Sequence, residues 1–139
     1  MERKYFDTDD SNFDPQLYIK ILVAIAKADK NNGPREYKFV QTLADRLSID
    51  ITEMWGTTEK TFLIDKIDIS RATALAVLRD GIILASLDHD FSMGEKEKVY
   101  TYAEKMDIPR ADVEYIVKWL DEFRMMMGEW DKLVRGDIS

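Results

Sequence analysis

The sequence predicts an all-α protein, a compact helical domain of about seven helices built from two similar halves. Apolar residues recur at three- and four-residue spacing through most of the chain, with cap residues where the stretches begin. No alternating apolar segment is bounded by hairpin turns. Residues 17–54 align without gaps to 76–113 at an offset of 59, with seven identities in 38 pairs. Chance gives about two or three identities, so the alignment predicts an internal duplication.

Each predicted helix follows from a start signal, an apolar stripe and a stop signal. Asp14, Asp50, Ser70 and Ser92 are predicted N-caps, and Gly128 is a predicted stop with a final turn at 130–134. The predicted helices run from Pro15 to the break at 31–34, then 34–47, 50–56, 57–67, Ser70 through Ala85, 92–106 and 109–127.

The chain divides into a short arm and one domain. Residues 1–13 are polar and acidic with two aromatics, Tyr5 and Phe6, which predicts a flexible or loosely docked N-terminal arm. Residues 14–139 form the single helical domain, with repeat halves at about 15–56 and 70–127.

Composition excludes several classes of function. The net charge of −7 argues against nucleic acid, because phosphate binding needs a basic face. The chain has no cysteine and one histidine, which rules out disulfides, thiolate chemistry and a His-rich metal centre within one chain. The N-terminus lacks the apolar region of a signal peptide, so a cytoplasmic protein is expected.

Two acidic pairs stand in register in the two halves. Asp29 precedes Glu36 and Asp88 precedes Glu95, both with the spacing Asp-x6-Glu. Carboxylates are hard ligands that suit Ca²⁺, Mg²⁺ or Mn²⁺, so each pair is a candidate cation site. The second loop holds more acid because it adds Asp90 and Glu97. Its spacing does not match an EF-hand, since Met93 and Val99 stand where Gly and Glu are needed.

The same acids have a structural interpretation. A Glu at the third position of a helix can accept a hydrogen bond from the backbone of the capping residue, which applies to both Glu36 and Glu95. His89 lies between Asp88 and Asp90, a setting typical of a solvated loop histidine with a raised pKa.

The motif resembles the tellurite-resistance TerB-like family. The first half reads Ala26-Lys-Ala-Asp29, then Glu36, then Leu43-Ala-Asp-Arg-Leu47-Ser-Ile49. The second reads Ala85-Ser-Leu-Asp88, then Glu95, then Tyr102-Ala-Glu-Lys-Met106-Asp-Ile108. The family often has Gly after each Asp, where this chain has Lys30 and His89.

The resemblance implies a compact helical fold without enzymatic activity. It also implies an acidic cluster proposed to bind divalent cations, and a role in a stress or tellurite-resistance complex near the membrane. Two alternatives remain open: a protein-interaction scaffold whose acids are only caps, and a metal-dependent hydrolase using Asp88 and Glu95, for which no catalytic motif is present. The segment Met125–Trp130 could bind a protein partner or form a homodimer, since three consecutive Met cannot all face one core.

Overall fold

A computed structural model describes residues 12–28, 33–62, 65–86 and 93–136. All regular secondary structure within these ranges is helical, which confirms the all-α class. The helices are α1 (Pro15–Ala28), α2 (Pro34–Arg46), α3 (Ile51–Thr57), α4 (Arg71–Ala85), α5 (Met93–Lys105) and α6 (Arg110–Arg135).

Helices α1 and α4 form the centre of the molecule and pack against each other. α2 and α3 lie against α1, whereas α5 and α6 lie against α4 and against each other. The two central helices are accordingly buried on more than one side, and Ile19, Leu22 and Val77 are fully enclosed. The core therefore depends on the two most apolar stretches of the sequence.

The predicted caps that fall on described residues are confirmed. The Asp14 carboxylate accepts a hydrogen bond from the Leu17 amide at 3.1 Å, directly before Pro15 at the first helical position. Asp50 accepts from the Thr52 amide and Ser70 from the Thr73 amide. Each side chain satisfies an amide that a helix start leaves without an intrahelical partner. Ser92, the fourth predicted cap, lies outside the described residues.

Helices α2 and α5 end in the same turn. The amides of Ile49 and Ile108 donate to the carbonyls of Ala44 and Ala103 at 2.9 and 2.8 Å. Ser48 and Asp107 occupy the left-handed region with φ of 59° and 61°. This is a Schellman turn in both places, and the two copies lie 59 residues apart.

The helix predicted over 57–67 is absent from the residues described there, so the described ranges contain six helices and the count of about seven is not confirmed. The Lys27 ammonium donates to the carbonyls of Trp55 and Thr58 at 2.7 Å each and thereby satisfies the C-terminal end of α3. The Ile67 amide instead donates to the Lys105 carbonyl, so this backbone follows α5 in a non-helical conformation. These tertiary hydrogen bonds override the local helical pattern.

The predicted end of the last helix at Met127 was wrong. α6 passes through Gly128 and ends at Arg135, so 130–134 belongs to it. A glycine inside a helix costs about 1 kcal/mol, which the flanking helix-forming residues offset. The actual stop is Gly136, whose φ of 75° is the left-handed conformation that glycine adopts without strain.

Candidate functional sites: the acidic pairs and the distal half of α6

Three of the six predicted metal ligands lie outside the described residues, namely Asp29, Asp88 and Asp90. Most of the N-terminal arm predicted at 1–13 and the loop residue His89 lie outside them as well. The structure therefore reports on the other three predicted ligands, Glu36, Glu95 and Glu97.

Glu36 holds the start of α2. Its carboxylate accepts a hydrogen bond from the Gly33 amide at 3.0 Å, and the side chain is buried, 4% exposed. Gly33 has no side chain to cap the helix, and Pro34 follows it at the first helical position. The capping interpretation of Glu36 is confirmed, because its carboxylate binds the cap amide that the helix leaves free.

Glu95 and Glu97 lie on different sides of α5. Glu95 is half-buried and lines a small apolar cavity of about 50 Å³ between α1, α4 and α5, beside Ile25 and Gly81. Glu97 is exposed, and its carboxylate lies 3.7 Å from the Arg110 guanidinium across the cleft between α5 and α6. The two acids do not converge on one point, as expected for helical residues two positions apart.

Within the described ranges, no three Asp, Glu or His side chains lie close enough together to hold a metal ion. The cation sites at the two acidic pairs, which depend on residues outside those ranges, stay predictions.

Comparison with protein-family models, curated proteins and solved structures gave no match. The TerB-like resemblance therefore stays a prediction carried by the repeated motif alone.

A buried polar cluster joins α1 to α4, and sequence reasoning missed it. The Tyr18 hydroxyl donates to Asp80 Oδ2 at 2.5 Å, while Arg79 donates to both Asp80 oxygens at 3.1 and 2.8 Å. Tyr18 and Asp80 are only 4% and 3% exposed. Burial, followed by the negative charge of Asp80, raises the pKa of Tyr18 well above its ordinary value.

The cluster is suited to stabilising the helix pair rather than to catalysis. Both oxygens of Asp80 already accept hydrogen bonds, and neither Asp80 nor Tyr18 is open to a substrate. Sequence contained one usable signal. Asp80 interrupts the apolar run of α4 at the position matched, 59 residues earlier, by the buried Ile21. A charge at a core position implies a buried partner.

The distal half of α6 exposes large apolar side chains. Met125, Met126 and Met127 are all between 44% and 67% exposed, which confirms that the three methionines do not all face the core. Five apolar residues in this half share one face and are together named the distal stripe: Met126, Met127, Trp130, Leu133 and Val134. Met125 lies about 140° around the helix from Trp130, outside the stripe.

The stripe is an exposed apolar patch on a water-facing helix. Trp130 and Leu133 are each 58% exposed, and Val134 is 67% exposed. Contiguous apolar patches of this kind are typical of protein-interaction sites. No helix among the described residues is both long and apolar enough to cross a membrane.

Proposed function

We propose that this protein is a non-enzymatic helical interaction module that docks an amphipathic helix of a protein partner along the distal stripe of α6. By its TerB-like resemblance, the module would act in the cytoplasm in a stress or tellurite-resistance complex. The observation that carries the proposal is the distal stripe, a row of exposed apolar side chains on a helix that extends beyond the core.

The spacing of the stripe favours a helical partner. Met126, Trp130 and Leu133 follow each other at four and three residues, the interval that keeps one face of a helix turned toward a neighbouring helix. Met127 and Val134 widen the face to three apolar positions in seven, as in a helix of a bundle. Helix-in-groove recognition uses this arrangement of anchors.

Charge along the stripe favours a basic partner over a second copy of this chain. Glu122 and Glu129 lie seven residues apart on one edge of the stripe, and neither forms an ion pair within the described part of the chain. An antiparallel pair of α6 helices would bring these carboxylates together. A partner helix with Lys or Arg along that edge would instead complement them.

Binding of a probe peptide tests the proposal. The probe is a synthetic amphipathic helix of about twenty residues with leucines on one face and lysines along its edges. Fluorescence anisotropy should show saturable binding to the wild type. Trp130→Ala should weaken it by about tenfold or more, because buried tryptophans dominate helix docking.

The control is Met125→Ala, which removes an apolar side chain of comparable exposure outside the stripe and should leave the affinity unchanged. Glu122→Gln with Glu129→Gln should weaken binding more than Glu53→Gln with Glu59→Gln, exposed acids away from α6. An equal loss of affinity in the two double variants would indicate that the peptide is attracted only by the net charge of the protein. A concentration-dependent dimer that Trp130→Ala dissolves would assign the stripe to a homodimer instead.

A second candidate function is divalent-cation binding at the loop between Asp88 and Glu95, with Asp90 contributing, and at the matching pair Asp29 and Glu36. It is favoured by the position of Glu95, a half-buried acid in the first turn of α5 where that loop ends. Carboxylates at this spacing supply oxygen ligands for Ca²⁺, Mg²⁺ or Mn²⁺. Glu97 is the weakest of the six candidates, since it faces Arg110.

Thermal unfolding after EDTA treatment, titrated with each ion, tests this candidate. An ion at 100 times its dissociation constant should add about 2.7 kcal/mol, which is several degrees in the midpoint. Asp88→Asn should remove the part of the shift that comes from the second-half loop, and Asp29→Asn should remove the part that comes from the first half. Absence of any shift at millimolar ion would leave the acids as helix caps.

We also propose that the two halves are copies of one helix–turn–helix unit. α2 and α5 have equal length, and the bounds of α5 lie 59 residues after those of α2. The same offset separates the first residue of α3, Ile51, from the first residue of α6, Arg110. The shared Schellman turns support the same offset.

A further inference from the structure

Helices α4 and α6 run in the same direction along part of their length. The Arg71 guanidinium donates to Asp112 at 3.0 Å near the start of both helices, and the Arg124 guanidinium donates to Ser86 Oγ at 2.6 Å where α4 ends. Beyond Arg124, α6 continues for about 16 Å at 1.5 Å per residue. The proximal half of α6 therefore has α4 beside it, whereas the distal half extends past the end of α4.

A shallow groove of about 300 Å³ lies between the two helices in their shared stretch. The lining residues are Ala72, Leu75, Ala76, Arg79, Ile116 and Trp119. The Arg79 guanidinium binds Asp80, so its aliphatic stem can add to the apolar wall. Two alanines of α4 opposite Ile116 and Trp119 of α6 leave a hole of the kind that a large side chain of a packed helix fills.

The α6 wall of this groove continues into the distal stripe. Apolar residues that we name the α6 seam follow one another at alternating intervals of three and four residues: Ile116, Trp119, Phe123, Met126, Trp130 and Leu133. The first three are half-buried and the last three are exposed. An average interval of 3.5 residues is the repeat that keeps one side of a helix against a second helix. The seam is about 26 Å long and has the pattern of one continuous helix contact.

The charges beside the seam favour a basic helix from another protein. Glu122 and Glu129 each directly precede a seam residue, Phe123 or Trp130, at the position from which paired helices form ion pairs. A second copy in antiparallel orientation would place these carboxylates against each other, and an anionic lipid surface would repel them. Lys or Arg side chains on a partner helix would complement both acids.

We infer that a single basic, amphipathic partner helix of at least about eighteen residues occupies the whole α6 seam, from the groove beside α4 to Leu133. The inference rests on the proposed function, which places the partner on the distal stripe, and it extends that site into the core of the fold. In the groove the partner packs against both α4 and α6, with a large apolar side chain in the hole beside Ala76.

Two single-tryptophan forms of the full chain report on the two ends of the seam. Trp55→Phe with Trp130→Phe leaves Trp119 in the groove, and Trp55→Phe with Trp119→Phe leaves Trp130 on the distal stripe. The probe is the leucine and lysine peptide of about twenty residues described above, which is about 30 Å long as a helix and contains no tryptophan. At saturation it should shift the emission of both tryptophans to shorter wavelength and reduce their quenching by acrylamide, because the bound helix excludes water.

The possible outcomes separate this inference from the proposed function. A response of Trp130 with none from Trp119 would overturn the inference and leave docking at the distal stripe intact. A response of Trp119 alone would contradict both, because the peptide would then bypass the stripe. The absence of any binding by anisotropy would likewise overturn both.

A substitution in the groove provides a readout that does not depend on fluorescence of the protein. Ile116→Ala should weaken binding of the labelled probe by about fivefold, because it removes a side chain that the partner contacts. Val117→Ala is the matched control, since Val117 is also half-buried on α6 but lies about 100° around the helix from Ile116. Its affinity should equal that of the wild type. An unchanged affinity in Ile116→Ala, or an equal loss in the two variants, would contradict a partner contact in the groove.

Discussion

The segments α2–α3 and α5–α6 share a turn and differ in the length of the helix after it. In both, a 13-residue helix ends in a Schellman turn with a left-handed residue, and a new helix begins. The helix after the first turn ends at Thr57, whereas the one after the second continues to Arg135.

The difference separates the part of the molecule that builds the fold from the part that is available for binding. The turns are determined locally, by an alanine and an isoleucine whose backbone groups bond across each turn. The length of the next helix is determined by its surroundings. Lys27 satisfies the carbonyls at the end of α3, while the distal half of α6 lies in solvent and ends only at Gly136. The extension of α6 is thus the part of the second segment that the core does not need.

The largest expected difference between the halves is in the free energy of unfolding that is lost when the matched residues Ile21 and Asp80 are substituted. Asp80→Asn should lower the free energy of unfolding by about 3 kcal/mol, because it removes the buried negative charge to which the Arg79 guanidinium donates two hydrogen bonds. Ile21→Val should cost about 1 kcal/mol, the usual effect of removing one buried methylene. Urea unfolding measures both. Equal costs would show that the polar cluster contributes no more than an apolar contact.

The polar cluster at Asp80 should also make the stability of the fold depend on pH, through the ionisation of Tyr18. Because burial and Asp80 raise its pKa in the folded protein, Tyr18 stays neutral when an unfolded tyrosine ionises near pH 10. Its contribution to stability is therefore complete below about pH 10 and falls above it, by up to about 1.4 kcal/mol per pH unit. Tyr18→Phe should flatten this decline in urea unfolding, and Tyr115→Phe, which removes an exposed ring hydroxyl, should not. An unchanged slope in Tyr18→Phe would contradict the predicted ionisation.

Sequence predicted most of the fold and less of the sites. The caps at Asp14, Asp50 and Ser70 and the offset of 59 residues rest on local chemistry and could be recognised directly. The missing helix after Thr57 could not, since Lys27 reaches that segment from α1, about 30 residues earlier. The role of Asp80 likewise depends on Tyr18, whose position beside it is a tertiary fact.

A smaller difference in stability is expected between variants of Glu36, the acid that caps α2, and of Thr42, an exposed polar residue on the same helix. Glu36→Ala should lower the free energy of unfolding by about 1 kcal/mol, which is about 4 °C in the thermal midpoint, because the Gly33 amide loses its acceptor. Thr42→Ala, an exposed substitution on the same helix, should stay within about 0.5 kcal/mol. Comparing Glu95→Ala with Glu36→Ala then measures whether the matched acid in α5 has a similar structural role. Equal midpoints for Glu36→Ala and the wild type would contradict capping by Glu36.

The smallest effect is a gain, and it tests whether the two turns are energetically equivalent. Ser48 and Asp107 occupy left-handed conformations that cost a residue with a Cβ roughly 1 kcal/mol relative to glycine. Ser48→Gly and Asp107→Gly should therefore each stabilise the fold, by about 0.5 kcal/mol after the entropy that glycine adds to the unfolded chain. Ser48→Ala keeps the Cβ and should give no gain. Urea unfolding of the single and double glycine variants should show additive increments, because the turns are separate Schellman motifs. A gain in stability at one turn and a loss at the other would mean that different interactions stabilise the two turns. The two segments would then be alike in geometry alone.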